Sequence, residues 1–224
     1  MEGSAVVLGW SEPGAAEAAA RLLRGGAVVA LPTETLYGLS CLAGSEVGVR
    51  RLMRLKGIRR RRGFVALAEC IEVVERYLAP EQERRAVEFL RRVWPAPLSA
   101  VLRVHGALPW GEAHAGVHTA AFRVPAHEKL RALLGLVEEP VLSTSANRTG
   151  QPPLLGAEEI VEEFGAGIGL VILDEGIARP RAVPPGRAAR RRASTLADFT
   201  VWPPCSLRAG EFDLQVAVQT WEAV

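Results

Sequence analysis

Short apolar runs alternate with amphipathic stretches along the whole chain, separated by Gly and Pro. AVVLG at 5–9 is a short apolar run suited to a strand. Pro13 then opens AAEAAARLLR, a helix that turns Leu22 and Leu23 inward and stops at Gly25-Gly26. AVVALP, ending at Pro32, is apolar throughout rather than alternating, as in a strand covered on both faces. The polar turn PTET leads into LYGLSCLAG and then a helix from about Glu46 to Leu55. FVALA at 64–68 predicts a strand, with helices around 70–78 and 81–92 after it.

The second half continues the alternation. WPAPLSAVLRV places a Pro-rich turn before a strand at 99–104, and a loop with Gly106, Gly111 and Gly116 leads to TAAFRVP, a strand closed by Pro125. HEKLRALLGL is helical, PVLSTSAN is a strand ending in a hydroxyl-rich turn, AEEIVEEFG is helical, and GLVILD is a strand. Residues 175–193 are rich in Gly, Pro and Arg and read as a loop before a final strand in STLADFTVW. Interleaved strands and helices with no linker composition predict one α/β domain over residues 1–224, built on a twisted mixed sheet.

At 224 residues and 49% hydrophobic content, the chain has enough apolar surface for a folded core. No apolar stretch reaches the roughly 18 residues of a membrane span. The opening MEGSAVVLGWSEPG lacks the basic head and apolar run of a secretory signal, so a cytoplasmic protein with no membrane partner is expected. Cys41, Cys70 and Cys205 are an odd number without metal-ligand spacing and read as reduced, buried thiols. The four histidines form no HExxH motif, so no protein-held metal is expected, and neither GxxxxGK[ST] nor GxGxxG occurs.

The formal net charge of +2 announces no nucleic-acid binder, but the kind of cation is informative. Only Lys56 and Lys129 are lysines among 27 basic residues, so a retained Lys56 points to a need for an ammonium group. Arg59, Arg60, Arg61 and Arg62 form one Arg cluster, and Arg187, Arg190, Arg191 and Arg192 another. Each is either a solvated loop or a contact to phosphates.

Polar clusters fall at predicted strand ends, where α/β sheets commonly bind ligands. Ser143, Thr144, Ser145 and Asn147 offer hydroxyls, an amide and small residues. They suit either a phosphate cradle or an ordinary turn. Thr33 and Thr35 of PTET have the same two readings. Arg123, between Phe122 and Val124, is a cation in an apolar strand and requires a carboxylate, from the protein or from a ligand.

In their order, PTETLYGL, LMRLK, WPAPLS, FRVP, STSANRTG and LRAG resemble the YrdC/YciO family across about residues 15–210, leaving 211–224 as a tail. The resemblance implies a single YrdC-like α/β domain, with helices packed around the sheet and a large concave basic cavity. It implies a nucleotidyltransferase that condenses L-threonine, bicarbonate and ATP to threonylcarbamoyl-AMP and pyrophosphate. That product supplies the t6A modification at position 37 of tRNA through downstream threonylcarbamoyl transferase machinery. ATP would be a substrate, with Mg2+ arriving on it.

Carried over position by position, Lys56 would be catalytic, with Arg59 supplying the second catalytic cation if the loop shifts by one residue. Thr33, Thr35, Arg123 and Ser194 would hold threonine. Lys56, Ser143, Ser145, Asn147 and Arg208 would hold the nucleotide. Arg60, Arg61, Arg62, Arg190 and Arg191 would contact tRNA or double-stranded RNA.

Three features depart from the family pattern. Ile58 stands where active synthases carry the Arg of a Lys-x-Arg motif, and an apolar side chain cannot replace a guanidinium. Ala96 and Ser99 replace a Gly and a Thr, and Ala193 replaces a Pro. The alternative reading is therefore a non-catalytic, YciO-like paralogue that binds double-stranded RNA, tRNA or ribosomes. A carbamoyl-transfer role, as in the related domain of hydrogenase-maturation proteins, is a third option.

Overall fold

A computed structural model describes residues 5–59, 63–108, 110–114, 117–174 and 192–223. The first half holds β1 (Val6–Gly9), α1 (Ala15–Arg24), β2 (Val29–Leu31), β3 (Gly38–Leu42), α2 (Glu46–Lys56), β4 (Val65–Leu67), α3 (Ile71–Glu75) and α4 (Arg84–Val93). Then come β5 (Leu98–Arg103), β6 (Glu112–His114), β7 (Val117–Arg123), α5 (Glu128–Val137), β8 (Val141–Ser145) and α6 (Ala157–Phe164). The last elements are β9 (Leu170–Leu173), β10 (Thr195–Asp198), β11 (Cys205–Arg208) and α7 (Leu214–Glu222). The strands form one sheet in the order β1-β9-β2-β3-β8-β4-β7-β5-β10-β11, with β6 paired to β7. It is mixed: β1–β9, β9–β2, β4–β7 and β5–β10 are parallel and the remaining pairs antiparallel.

The unbroken apolar runs follow from burial on both sides. In β9, Leu170 and Ile172 join one hydrophobic cluster while Val171 between them joins the other, and β2 divides Val29 and Leu31 from Ala30 in the same way. One face is covered by α1 and α5, through Ala19, Leu23, Leu130, Leu133 and Leu134. The opposite face carries α2, α4 and α6, through Val49, Leu52, Phe89, Leu90, Ile160 and Phe164.

Several elements are shorter than the sequence pattern predicts. The helix expected over 70–78 ends at Glu75, because Leu78 bridges Val104 and the Ala79 amide donates to Arg103. The helix expected from 81 begins at Arg84, where the Glu83 carboxylate accepts from the Arg85 amide. The last predicted strand ends at Asp198, whose carboxylate accepts from Thr200 N in a tight turn. Strands β3, β6 and β11 and helix α7 fall where the pattern assigned no element. Burial of all three cysteines is also corrected: Cys41 is buried, with its thiol pushed up to about 12 by desolvation, but Cys70 is half-buried and Cys205 lies exposed on β11. No helix among the described residues is long and apolar enough to cross a membrane.

Candidate active site

Small and polar residues interrupt the apolar lining on the face that carries α1 and α5. Gly38 lies opposite Ser145, Ser40 opposite Ser143, and Ser143 opposite Val65 across three neighbouring strands. Side chains one residue apart point to opposite faces, so Ser143 and Ser145 share one face. Where larger residues would have filled the layer, a cavity of about 350 Å³ remains, with Gly38, Val65, Leu67, Ser99, Arg123, Ser143 and Ser145 in its lining. The turn after β2, the end of β7 at Arg123 and the turn after β8 all contribute, as the strand-end pattern predicts, and the sheet face between them adds Gly38, Val65, Ser99 and Ser143.

The close approach of β3 and β8 depends on Gly38. A Cβ there would lie 2.1 Å from Ser143 Oγ, a distance no carbon tolerates. Ser143 in turn accepts a 3.1 Å hydrogen bond from the Ser40 hydroxyl.

The PTET turn is folded around Thr33, whose Oγ1 accepts from the Thr35 and Leu36 amides, both at 3.1 Å, and lies 2.9 Å from Thr35 Oγ1. Thr33 thus fixes the turn, and Thr35 faces Arg123, accepting from its Nη1 at 3.2 Å. The carboxylate that Arg123 requires comes from Glu34, with Oε1 2.6 Å from Nη2. That ion pair misses hydrogen-bond geometry: Arg123 Nε and Nη2 and Glu34 Oε2 are buried without a hydrogen-bond partner among the described residues. A guanidinium 5% exposed with two unused donor groups is a strained arrangement for a protein interior.

A second guanidinium enters from β11. Arg208 Nη2 donates to Ser194 O at 3.0 Å, and the buried Ser194 and Ser99 hydroxyls lie 2.9 Å apart. The Arg208 pKa is lowered first by burial and then by the nearby positive charge of Arg123. Two guanidiniums therefore line one cavity, and a nearby carboxylate among the described residues, Glu34, pairs with Arg123 from outside the lining. Such a site attracts anions.

Lys56 ends α2, but it is not among the described lining residues. Its ammonium donates to Ser145 O at 2.8 Å, Asn147 O at 2.5 Å and Asn147 Oδ1 at 2.9 Å. Asn147 Oδ1 also accepts from the Ser145 hydroxyl, and Asn147 Nδ2 donates to Gln151 O. Lys56 and Asn147 together brace the turn after β8. Burial lowers the Lys56 pKa to about 8.

Of the residues singled out from sequence, the cavity brings together Thr33, Thr35, Arg123, Ser143, Ser145, Asn147, Ser194 and Arg208. Arg59 is exposed and does not line it. Arg60, Arg61, Arg62, Arg187, Arg190 and Arg191 lie outside the described residues. Sequence reasoning missed Glu34, Gly38, Ser99 and Tyr37. The signal for Glu34 was present, as the acid inside a turn of hydroxyl residues.

Known proteins resemble this chain in sequence and in fold. The Sua5, YciO and YrdC family model, described as telomere recombination, matches residues 21–210. The chain belongs to the Sua5/YciO/YrdC family. A protein of Pyrococcus abyssi named threonylcarbamoyl-AMP synthase is 35% identical over 197 residues, which cover 88% of this chain and 54% of that protein. This chain thus spans about half the length of that relative. A Nitrosococcus oceani protein with the same name is 34% identical over 169 residues, covering 74% of this chain and 88% of its own. Among solved structures, P. abyssi Sua5 complexed with L-threonine superposes with a TM-score of 0.79 at 32% identity, covering 96% of this chain and 59% of that one. E. coli YciO, at 19% identity, shares the fold, with a TM-score of 0.74 over 95% of this chain and 97% of its own.

Proposed function

We propose that this member of the Sua5/YciO/YrdC family condenses L-threonine, bicarbonate and ATP into threonylcarbamoyl-AMP, releasing pyrophosphate. The observation that carries the reading is the buried Arg123 guanidinium, paired off-axis with Glu34, and the Arg208 guanidinium that lines the same hydroxyl-rich cavity. All three substrates are anionic or carry a carboxylate, and so does the product. The relatives named threonylcarbamoyl-AMP synthase and the Sua5 structure with L-threonine support the same substrate class.

In this scheme the threonine amine takes up carbon dioxide from bicarbonate to give a carbamate. A carbamate oxygen attacks the α-phosphorus of ATP, and pyrophosphate leaves. The protein supplies position and charge rather than a covalent partner. Arg123, aligned by Thr35, takes the threonine carboxylate, and Ser194, bonded to Ser99 and Arg208, lines the same cavity. Arg208 and the Ser143 and Ser145 hydroxyls face the nucleotide, while Lys56 and Asn147 keep the serine turn rigid. Mg2+ is expected on the ATP phosphates, since the described lining offers hydroxyls, amides and guanidiniums but no carboxylate to hold it. The product would pass to a transferase that modifies tRNA.

A second reading, a non-catalytic RNA-binding member, is favoured by Ile58 and by the exposure of Arg59, neither of which lines the cavity. One experiment separates them. Purified protein with ATP, Mg2+, L-threonine and 13C-bicarbonate should give an adenylate one mass unit heavier than that made with ordinary bicarbonate, together with pyrophosphate. Absence of both products beside a working synthase, with salt-sensitive tRNA binding, would favour the second reading.

A further inference from the structure

The turn between β2 and β3 places a carboxylate against the one cation best placed to receive an amino acid. Glu34 Oε1 lies 2.6 Å from Arg123 Nη2 and also accepts a 2.8 Å hydrogen bond from the Ala126 amide. The second oxygen, Oε2, is buried with no hydrogen-bond partner among the described residues, as are Arg123 Nε and Nη2. Glu34 therefore neutralises the guanidinium without satisfying it. A guanidinium presents donors in a planar fork that a carboxylate meets best along two parallel N–H directions. Glu34, tethered through Ala126, approaches off those directions.

We propose that Glu34 is an internal competitor for Arg123, a carboxylate that occupies the guanidinium until an incoming ligand carboxylate displaces it. The inference rests on the reading that Arg123 receives the substrate carboxylate. Glu34 is a positioning residue here, acting through Arg123. It prevents an uncompensated cation from being buried in the ligand-free protein, and it weakens the hold of Arg123 on carboxylates in general. A ligand that makes both parallel hydrogen bonds outcompetes Glu34, whereas a small anion with poorer geometry does not.

Calorimetry on wild type, Glu34→Gln and Glu34→Asp tests this with three probes: L-threonine, L-threoninamide and acetate. Gln keeps an oxygen for the Ala126 amide and loses the charge, while Asp keeps the charge and withdraws it by one methylene. Both variants are expected to bind L-threonine with a Kd roughly three- to tenfold lower than wild type. L-Threoninamide, which has no carboxylate, should show no gain. Acetate should bind the variants better than wild type. Glu34→Asp also keeps the test decisive should Glu34→Gln fail to fold.

If wild type binds L-threonine and the folded variants bind it equally or more weakly, the inference is overturned while the reading of Arg123 stands. If no protein binds L-threonine but the variants take up acetate that wild type refuses, the synthase reading fails and the competition stands. No carboxylate binding by any of the three proteins overturns both.

Discussion

The Ile58 amide donates to the Met53 carbonyl across the end of α2, and both side chains are packed against the same hydrophobic core. Gly57, between Ile58 and the helix, has φ 66° and donates to Arg54 O at 3.1 Å. This is the hydrogen-bond pattern of a glycine-terminated helix, in which the residue after the glycine makes an apolar contact back to the last turn. Ile58 is there to stop a helix.

Ile58→Arg is therefore expected to cost about 1 kcal/mol of stability through loss of that apolar contact. It is not expected to raise adenylate formation, because position 58 does not line the cavity. Urea unfolding together with a product assay checks both halves. A stable variant with increased synthesis would mean that position 58 reaches the cavity when substrates are bound.

Lys56 predicts opposite pH trends for activity and stability. Its folded pKa of about 8 lies below the ordinary value of 10.5, so between those values the unfolded chain holds more protons. The penalty for burying the charged amine is complete below pH 8 and fades as pH rises towards 10.5. Loss of the proton leaves two N–H donors for three acceptor oxygens, so the serine turn loosens and activity falls above about pH 8. Lys56→Met should abolish most activity. Subtracting its stability profile from that of wild type isolates the alkaline rise. Activity that is flat from pH 7 to 9.5 would contradict this account.

Gly38→Ala should disturb the cavity floor. Its Cβ would collide with Ser143 Oγ, so either that hydroxyl swings out of its bond with Ser40 or β3 and β8 shift beneath the cavity. A loss of about 1–3 kcal/mol is expected from overpacking, with weaker L-threonine binding in whatever folds. Ser143→Ala in the same background relieves part of the clash, and thermal melts of the single and double mutants measure the coupling.

The alternation of strands and helices was legible in the sequence because burial on both faces leaves long apolar runs, as in AVVALP and GLVILD. Strand β3 was not: Gly38, which lines the cavity, and buried Ser40, which bonds Ser143 beneath it, break its apolar pattern. Edge strand β11 is exposed at every residue and leaves no hydrophobic signature. The site's polar residues could be read as a set, yet their division of labour could not. Lys56 reads from sequence as a ligand-facing charge, and only three-dimensional contact reveals that its amine is committed to the backbone of a turn. Glu34 escaped notice because its partner, Arg123, lies 89 positions along the chain.

The central claim is that the Arg123 guanidinium receives an amino-acid carboxylate in this cavity. Calorimetric titration of L-threonine into wild type and Arg123→Ala, with Arg208→Ala as a neighbour control, tests it most directly. Saturable binding to wild type, lost in Arg123→Ala and retained in Arg208→Ala, is the predicted result. Equal binding to wild type and Arg123→Ala would contradict it.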